Sequence, residues 1–251
     1  MKTRRFILSA VLLSAMAFTF TSCSELVKKM AMKAVSESAE FEKDTVQWGG
    51  VVEQHLDLPT FAAIDAKGAV RIVYTQDSVF SVRVRANEKC LEAYMFEVRK
   101  DELKVQAKDA TSRNNVNRSS PAVTLFISAP SLSDIEIAGA GKLELTGTIV
   151  QDGPLDIEMA GAGDVSIEDL TSESLNIELS GAAKCDIAKA TTREDIEIEV
   201  NGAGDINVNV FCKDLTIELN GAGNAVVSGE CKNFVCEENG ASKVDFSMLK
   251  R

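Results

Sequence analysis

The sequence predicts an all-β protein, a parallel β-helix (solenoid) with about twenty residues per coil, on three observations. The tripeptide Gly-Ala-Gly, or a one-letter variant, starts at Gly139, Gly161, Gly181, Gly202, Gly221 and Gly240, with steps of 22, 20, 21, 19 and 19 residues. A fixed period of about twenty residues marks one supersecondary unit repeated along the chain. Small apolar residues alternate with polar ones on both sides of each Gly, which is strand periodicity. Equivalent positions also hold alike side chains: four before each Gly stand Ile135, Ile157, Ile177, Ile198 and Ile217, then Cys236.

Each unit reads as strand, turn, strand. Two positions before the Gly come Ile137, Met159, Leu179, Val200, Leu219 and then Glu238; four and six after it come pairs such as Val165 and Ile167. The Gly tolerates the φ > 0 conformations that a tight corner needs. An antiparallel meander would make each corner a hairpin loop and pair the flanks with each other. A coil instead sets every position above its equivalent, at about 4.8 Å. The recurrent Ile favours the coil. So does the 6% aromatic content, since a narrow interior packs Ile, Val and Leu in layers more easily than rings.

The first half is strand-rich without the Gly-Ala-Gly register, for example Val70–Tyr74, Val79–Arg85, Leu103–Ala107 and Val123–Ile127. These runs are expected to be irregular opening strands of the same body, because terminal units of repeat folds are atypical. One domain over 46–251 is therefore predicted, with irregular strands at 46–130 and regular coils at 131–248. The polar stretch Asp109 to Ser120 reads as an exposed loop.

The N-terminus reads as an export signal. Lys2, Arg4 and Arg5 precede an apolar run from Phe6 to Phe20, and Thr21-Ser22 leads into Cys23. This resembles a bacterial lipoprotein signal peptide, which implies a leader at 1–22 and acylation of Cys23, with a tether over 23–45. The apolar run is near fifteen residues, short of the roughly twenty a membrane span needs. The acyl anchor thus becomes the membrane partner, and the location a cell-envelope, outer-membrane lipoprotein. The segment after Cys23 lacks the acidic run that surface-exported lipoproteins tend to carry, which favours the periplasmic side.

Charge narrows the partners further. The chain carries a net −11, and loss of Lys2, Arg4 and Arg5 with the leader makes the mature protein more acidic. Nucleic acid, which demands a basic surface, is excluded as a partner. Three positions before each Gly stand Glu136, Glu158, Glu178, Glu199, Glu218 and Glu237, so a coil would stack them in one outward column. Like charges on neighbouring strands repel, unless water screens them or a hard cation neutralises them. The first five are the candidate cation or ligand column, weighed against a plain solvated face. Lys142, Lys184 and Lys243, three after their Gly, are placed to relieve the repulsion across the corner. Asn201, Asn220 and Asn239 replace Ala138, Ala160 and Ser180 immediately before the Gly, and stacked amides form a hydrogen-bonded ladder.

Cys212 and Cys231 each lie ten residues after a repeat Gly, so stacked coils would bring them to disulfide distance. No cysteine spacing suggests zinc, and no metal or cofactor is implied. The single histidine, His55, has no nucleophile motif beside it. Arg71, Arg83, Arg85 and Arg99 form the one basic cluster suited to a uronate. A β-helical polysaccharide lyase or hydrolase of acidic glycans is the alternative class, and an envelope spacer a third.

The run Phe61-Ala-Ala-Ile64, Gly68-Ala-Val70-Arg-Ile72, and the multiplied I-x-[LMV]-x-Gly-Ala-Gly units resemble the family called putative auto-transporter adhesin, head GIN domain, over roughly residues 50 to 248. The resemblance implies a right-handed β-helix on an exported bacterial lipoprotein, without catalytic residues. A non-enzymatic binding or adhesion module, facing a glycan or an envelope protein, is the function expected. The sequence is silent on oligomeric state.

Overall fold

The computed structural model describes residues 49–109 and 122–251. The leader, Cys23 and the tether lie outside the described residues, as does most of the predicted 109–120 loop. The described chain forms β1 (Val51–His55), β2 (Ala63–Gln76), β3 (Ser81–Asn87), α1 (Glu88–Ala93), β4 (Tyr94–Arg99), β5 (Glu102–Ala107), β6 (Val123–Ala129), β7 (Asp134–Val150), β8 (Leu155–Ser172), β9 (Leu175–Thr192) and β10 (Asp195–Lys250). All ten strands join one sheet in the order β1-β3-β6-β2-β7-β8-β9-β10, with β5 on the flank of β2 and β4 on β5.

This corrects the predicted right-handed parallel β-helix, the solenoid of uniform coils. The sheet is mixed: β1 with β3, β3 with β6, and β4 with β5 all pair antiparallel. The reason lies in the first half, where β4 and β5 fold as a hairpin and β3 joins β1 and β6 by pairings between segments distant in sequence. Lys100 and Asp101, at φ 53° and 66°, make the two-residue left-handed turn that matches strand twist and folds β4 onto β5.

From β2 onward through β7, β8, β9 and β10 the pairing is parallel and keeps the repeat register across each Gly bend, with shifts between Leu145 and Thr148 and between Val208 and Val210. Ile135 stands opposite Ile157, Ile157 opposite Ile177 and Ile177 opposite Ile198, so the meander does not form. These four are at most 2% exposed. Burying an Ile side chain stabilises by roughly 1.5–3 kcal/mol, and repeating that in every unit builds the continuous apolar core. The Gly-Ala-Gly corner is not a loop between two strands. It is a bend inside one continuous strand, and β10 passes through three such bends, at Gly202, Gly221 and Gly240.

The bend explains why Gly recurs. Gly139 has φ 128°, and a β-carbon there would come 2.5 Å from the Gly68 carbonyl oxygen of the neighbouring strand. Gly68 itself has φ 111° and pairs with Gly139. The first unit of the stack is therefore β2, separated in sequence from the second by everything from β3 to β6.

Candidate ligand-binding faces

In-register pairing makes the predicted acidic column real geometry. Asp65 stands opposite Glu136, and Glu136, Glu158, Glu178 and Glu199 follow on successive strands. Glu218 continues the series in β10. Asp65, missed in the sequence because its unit lacks the full Gly-Ala-Gly, heads the column and is 7% exposed. Its Oδ2 accepts from Lys67 at 3.0 Å and Lys104 at 3.2 Å. Among the described residues no group of three His, Cys, Asp or Glu is arranged to hold a metal ion. The acids form a row, one per strand.

The amides divide this row. Asn201 Nδ2 donates to Glu199 Oε1 and Asn220 Nδ2 to Glu218 Oε1, both at 2.7 Å. Asn220 also donates to Asn201 Oδ1 at 3.0 Å, and Asn239 to Asn220 Oδ1 at 2.9 Å. The predicted ladder is present, and it has a second role as a donor rail for the carboxylates. Glu158 has Ala160 at the equivalent place and receives no such bond. Burial first, then the charges of Glu136, Glu178 and Asp134, raise its pKa.

The lysines do not relieve the column as expected. Lys142 pairs with Glu144 at 2.7 Å, and Lys184 pairs with Asp186, each two residues along its own strand. Two residues along a strand is the same face, whereas the Glu column lies beyond the Gly bend.

A second face gathers three of the four arginines of the predicted cluster. Arg71 in β2, Thr124 in β6 and Arg85 in β3 stand opposite one another, and the next row holds Val73, Phe126 and Arg83. Arg71 Nε and Nη2 both donate to Glu144 Oε2, at 2.9 and 2.6 Å. Burial pushes the Glu144 carboxyl up, but hydrogen bonds and charge from Lys142 and Arg71 outweigh it, and its pKa is lowered. Arg83 donates to Glu53 at 2.6 Å, and its guanidinium lies 5.2 Å from the centre of the Phe126 ring. The predicted uronate cluster is thus already partnered in part by carboxylates. Arg99 stands apart on β4, paired with Glu97. Sequence could not show the Arg71–Glu144 pair, because the two belong to distant segments brought side by side by the stacking of β7 on β2.

His55 Nδ1 donates to the Val82 carbonyl oxygen at 2.9 Å, tying β1 to β3. Cys212 and Cys231 are both free thiols, half-buried and buried. Burial, and then proximity to Cys231, pushes Cys212 up to about 12.

Comparison with known proteins decides the family. The model of the family described as putative auto-transporter adhesin, head GIN domain, matches residues 60–191 and again 177–251. The chain belongs to this family. The two matches overlap on β9, as expected when one domain pattern is laid twice over a repeating stack. No curated protein matches. A crystal structure of a putative adhesin from Bacteroides fragilis is 21% identical, covers 78% of this chain and 96% of that one, and superposes with a TM-score of 0.58, which shows a shared fold. More remote are a putative adhesin from Parabacteroides distasonis, 15% identical over 78% of this chain and 97% of its own (TM-score 0.47), and a putative lipid binding protein from the same species, 15% identical over 79% and 98% (TM-score 0.46). Within the head GIN family, identities this low transfer no residue roles to the faces described above.

Proposed function

We propose that this head GIN protein is a non-catalytic binding or adhesion module of the bacterial cell envelope. Acylated Cys23 would anchor it to the outer membrane, with the periplasmic side favoured, and its ligand would be a glycan or an envelope protein. The family's adhesin description supports the class.

The observation that carries the reading is the face spanning β1, β3, β6, β2 and β7. Five strands at about 4.8 Å give a width of roughly 20 Å. Across it, paired Arg71–Glu144 and Arg83–Glu53 alternate with Thr124, Phe126 and the hydroxyl pair Thr75–Thr146, whose oxygens lie 2.7 Å apart. Donors and acceptors held in fixed rows beside apolar Val73 and Phe126 suit a polyhydroxylated chain, and rigid strands lower the ordering cost of binding. Such a surface binds through many weak contacts and needs no bond-breaking group.

A glycan array probed with the purified protein tests this reading. Binding that Arg71→Ala with Arg83→Ala abolishes, and that Glu178→Gln with Glu199→Gln leaves intact, is the expected result. Binding indifferent to both pairs of substitutions would remove the face from consideration, and cleaved glycan would replace the module with an enzyme. Membrane release of Cys23→Ala tests the anchor.

A further inference from the structure

Among the described residues, the parallel stack is covered at one end and bare at the other. Next to β2, the first unit, β5 covers residues Ala63–Ala66 and β6 covers Val70–Gln76. At the opposite end the sheet order stops at β10, and among the described residues no strand lies beyond its last unit. Here the apolar core reaches solvent. Of the six large apolar residues exposed among those described, Val235 (52%), Phe246 (39%) and Met248 (60%) lie in this unit. Phe234 and Phe246 pack edge to face at 5.4 Å, and what covers them is the Arg251 guanidinium, 5.0 and 4.8 Å from the two ring centres.

We propose that this end is a self-association surface, on which a second copy of the chain pairs antiparallel with residues 230–250 about a two-fold axis through Gly240. The pattern of side chains carries the inference. A two-fold axis at residue 240 sets each position opposite the one equally far on the other side. Glu237 then meets Lys243 of the second copy and Glu230 meets Lys250, each twice by symmetry. Phe234 meets Phe246 and Cys236 meets Val244, so apolar inward positions coincide with apolar inward positions. Residues directly opposite in an antiparallel pair point to the same face, so the charge pairs stay outside and the rings inside.

Two further irregularities are explained by the same register. Glu238 occupies the inward column otherwise held by Ile137, Met159, Leu179, Val200 and Leu219, and it is exposed. Ser242 Oγ is buried and has no hydrogen-bond partner. Across the axis they stand opposite each other, so the two polar residues of this row meet in one place. A bare parallel edge invites pairing with another chain. The β2 end of the parallel stack is covered by β5 and β6 and offers no copy of this edge, so like pairs with like and the assembly closes as a symmetric dimer.

Charge reversal tests the register. Sedimentation velocity on the full mature chain carrying Cys23→Ser, to remove the anchor, should show concentration-dependent dimers. Glu237→Lys alone and Lys243→Glu alone place like charges opposite and should each weaken the dimer by about tenfold or more. Combined, Glu237→Lys with Lys243→Glu restores the complement and should return the dissociation constant to near the starting value. Both positions are exposed, so thermal melts taken at concentrations low enough for every variant to be monomeric should match the parent and rule out misfolding. A parent that stays monomeric at the highest attainable concentration would overturn the proposal, as would a double variant no better than the singles.

Discussion

Asn220 donates from Nδ2 to Oδ1 of Asn201, one unit earlier, at 3.0 Å. The same amide nitrogen holds Glu218 Oε1 at 2.7 Å, so both of its hydrogens are used. One side chain thus links successive units of the stack and satisfies a carboxylate on its own strand. Asn220→Ala should lower stability by about 1–2 kcal/mol, since hydrogen bonds to a charged group contribute more than neutral ones. Urea unfolding measures this as a lower midpoint with unchanged slope.

The bends are less forgiving. Gly139→Ala puts a β-carbon 2.5 Å from the Gly68 carbonyl oxygen at φ 128°, and backbone cannot step aside as a side chain would. A loss of more than about 3 kcal/mol, or failure to fold, is expected. Gly153 has nothing within 4 Å of the corresponding point and no positive φ. Gly153→Ala should be neutral in the same melt.

Two glutamates should respond to pH with opposite sign. Glu144 has its pKa lowered from 4.5 in the fold, so its ionised form stabilises above that value and the benefit is lost as pH falls through the lowered value. Glu158 has its pKa raised, so its ionised form destabilises. That penalty is absent below the unfolded value of 4.5 and complete above the raised one. At neutral pH Glu144→Gln should therefore cost stability, about 1 kcal/mol for a largely surface ion pair. Glu158→Gln should add a little, toward the low end of about 0.2–1 kcal/mol. Melts repeated in acid should bring both variants back to the parent.

Calcium should raise the melting temperature no more than sodium chloride of equal ionic strength. Glu199 and Glu218 already accept amide hydrogens, and Asp65 is held by two lysines. A millimolar calcium shift that sodium fails to reproduce, and that Glu178→Gln with Glu199→Gln erases, would make the column a cation site.

Cys212 and Cys231 should oxidise as a pair. Their burial keeps the thiols protonated near neutral pH, so with oxidised glutathione as the electron acceptor bond formation should be slow there and faster under alkaline conditions. After such oxidation, labelling of the denatured, unreduced chain should spare both together and mark Cys90, Cys185 and Cys236. Full labelling of either Cys212 or Cys231 would dismiss the bond.

The family, the all-β class and the parallel register from Gly139 onward were legible in the sequence. A period of about twenty residues states which residues are equivalent, and in-register stacking then decides what each one neighbours. The acidic column and the Asn ladder follow from that rule alone. Tertiary structure decided the rest, wherever contacts join segments that share no period. The hairpin of β4 and β5 depends on the turn at Lys100-Asp101, and the antiparallel pairing of β3 with β1 and β6 joins distant segments that alternation cannot distinguish from coils, which is why the β-helix prediction failed. The unit at β2 stayed hidden because Val70 stands where the repeat carries its second Gly, and Arg71 could be matched with Glu144 only once β7 lay beside it. Local pattern encodes which face a side chain takes; which chain lies across from it is set by long-range packing.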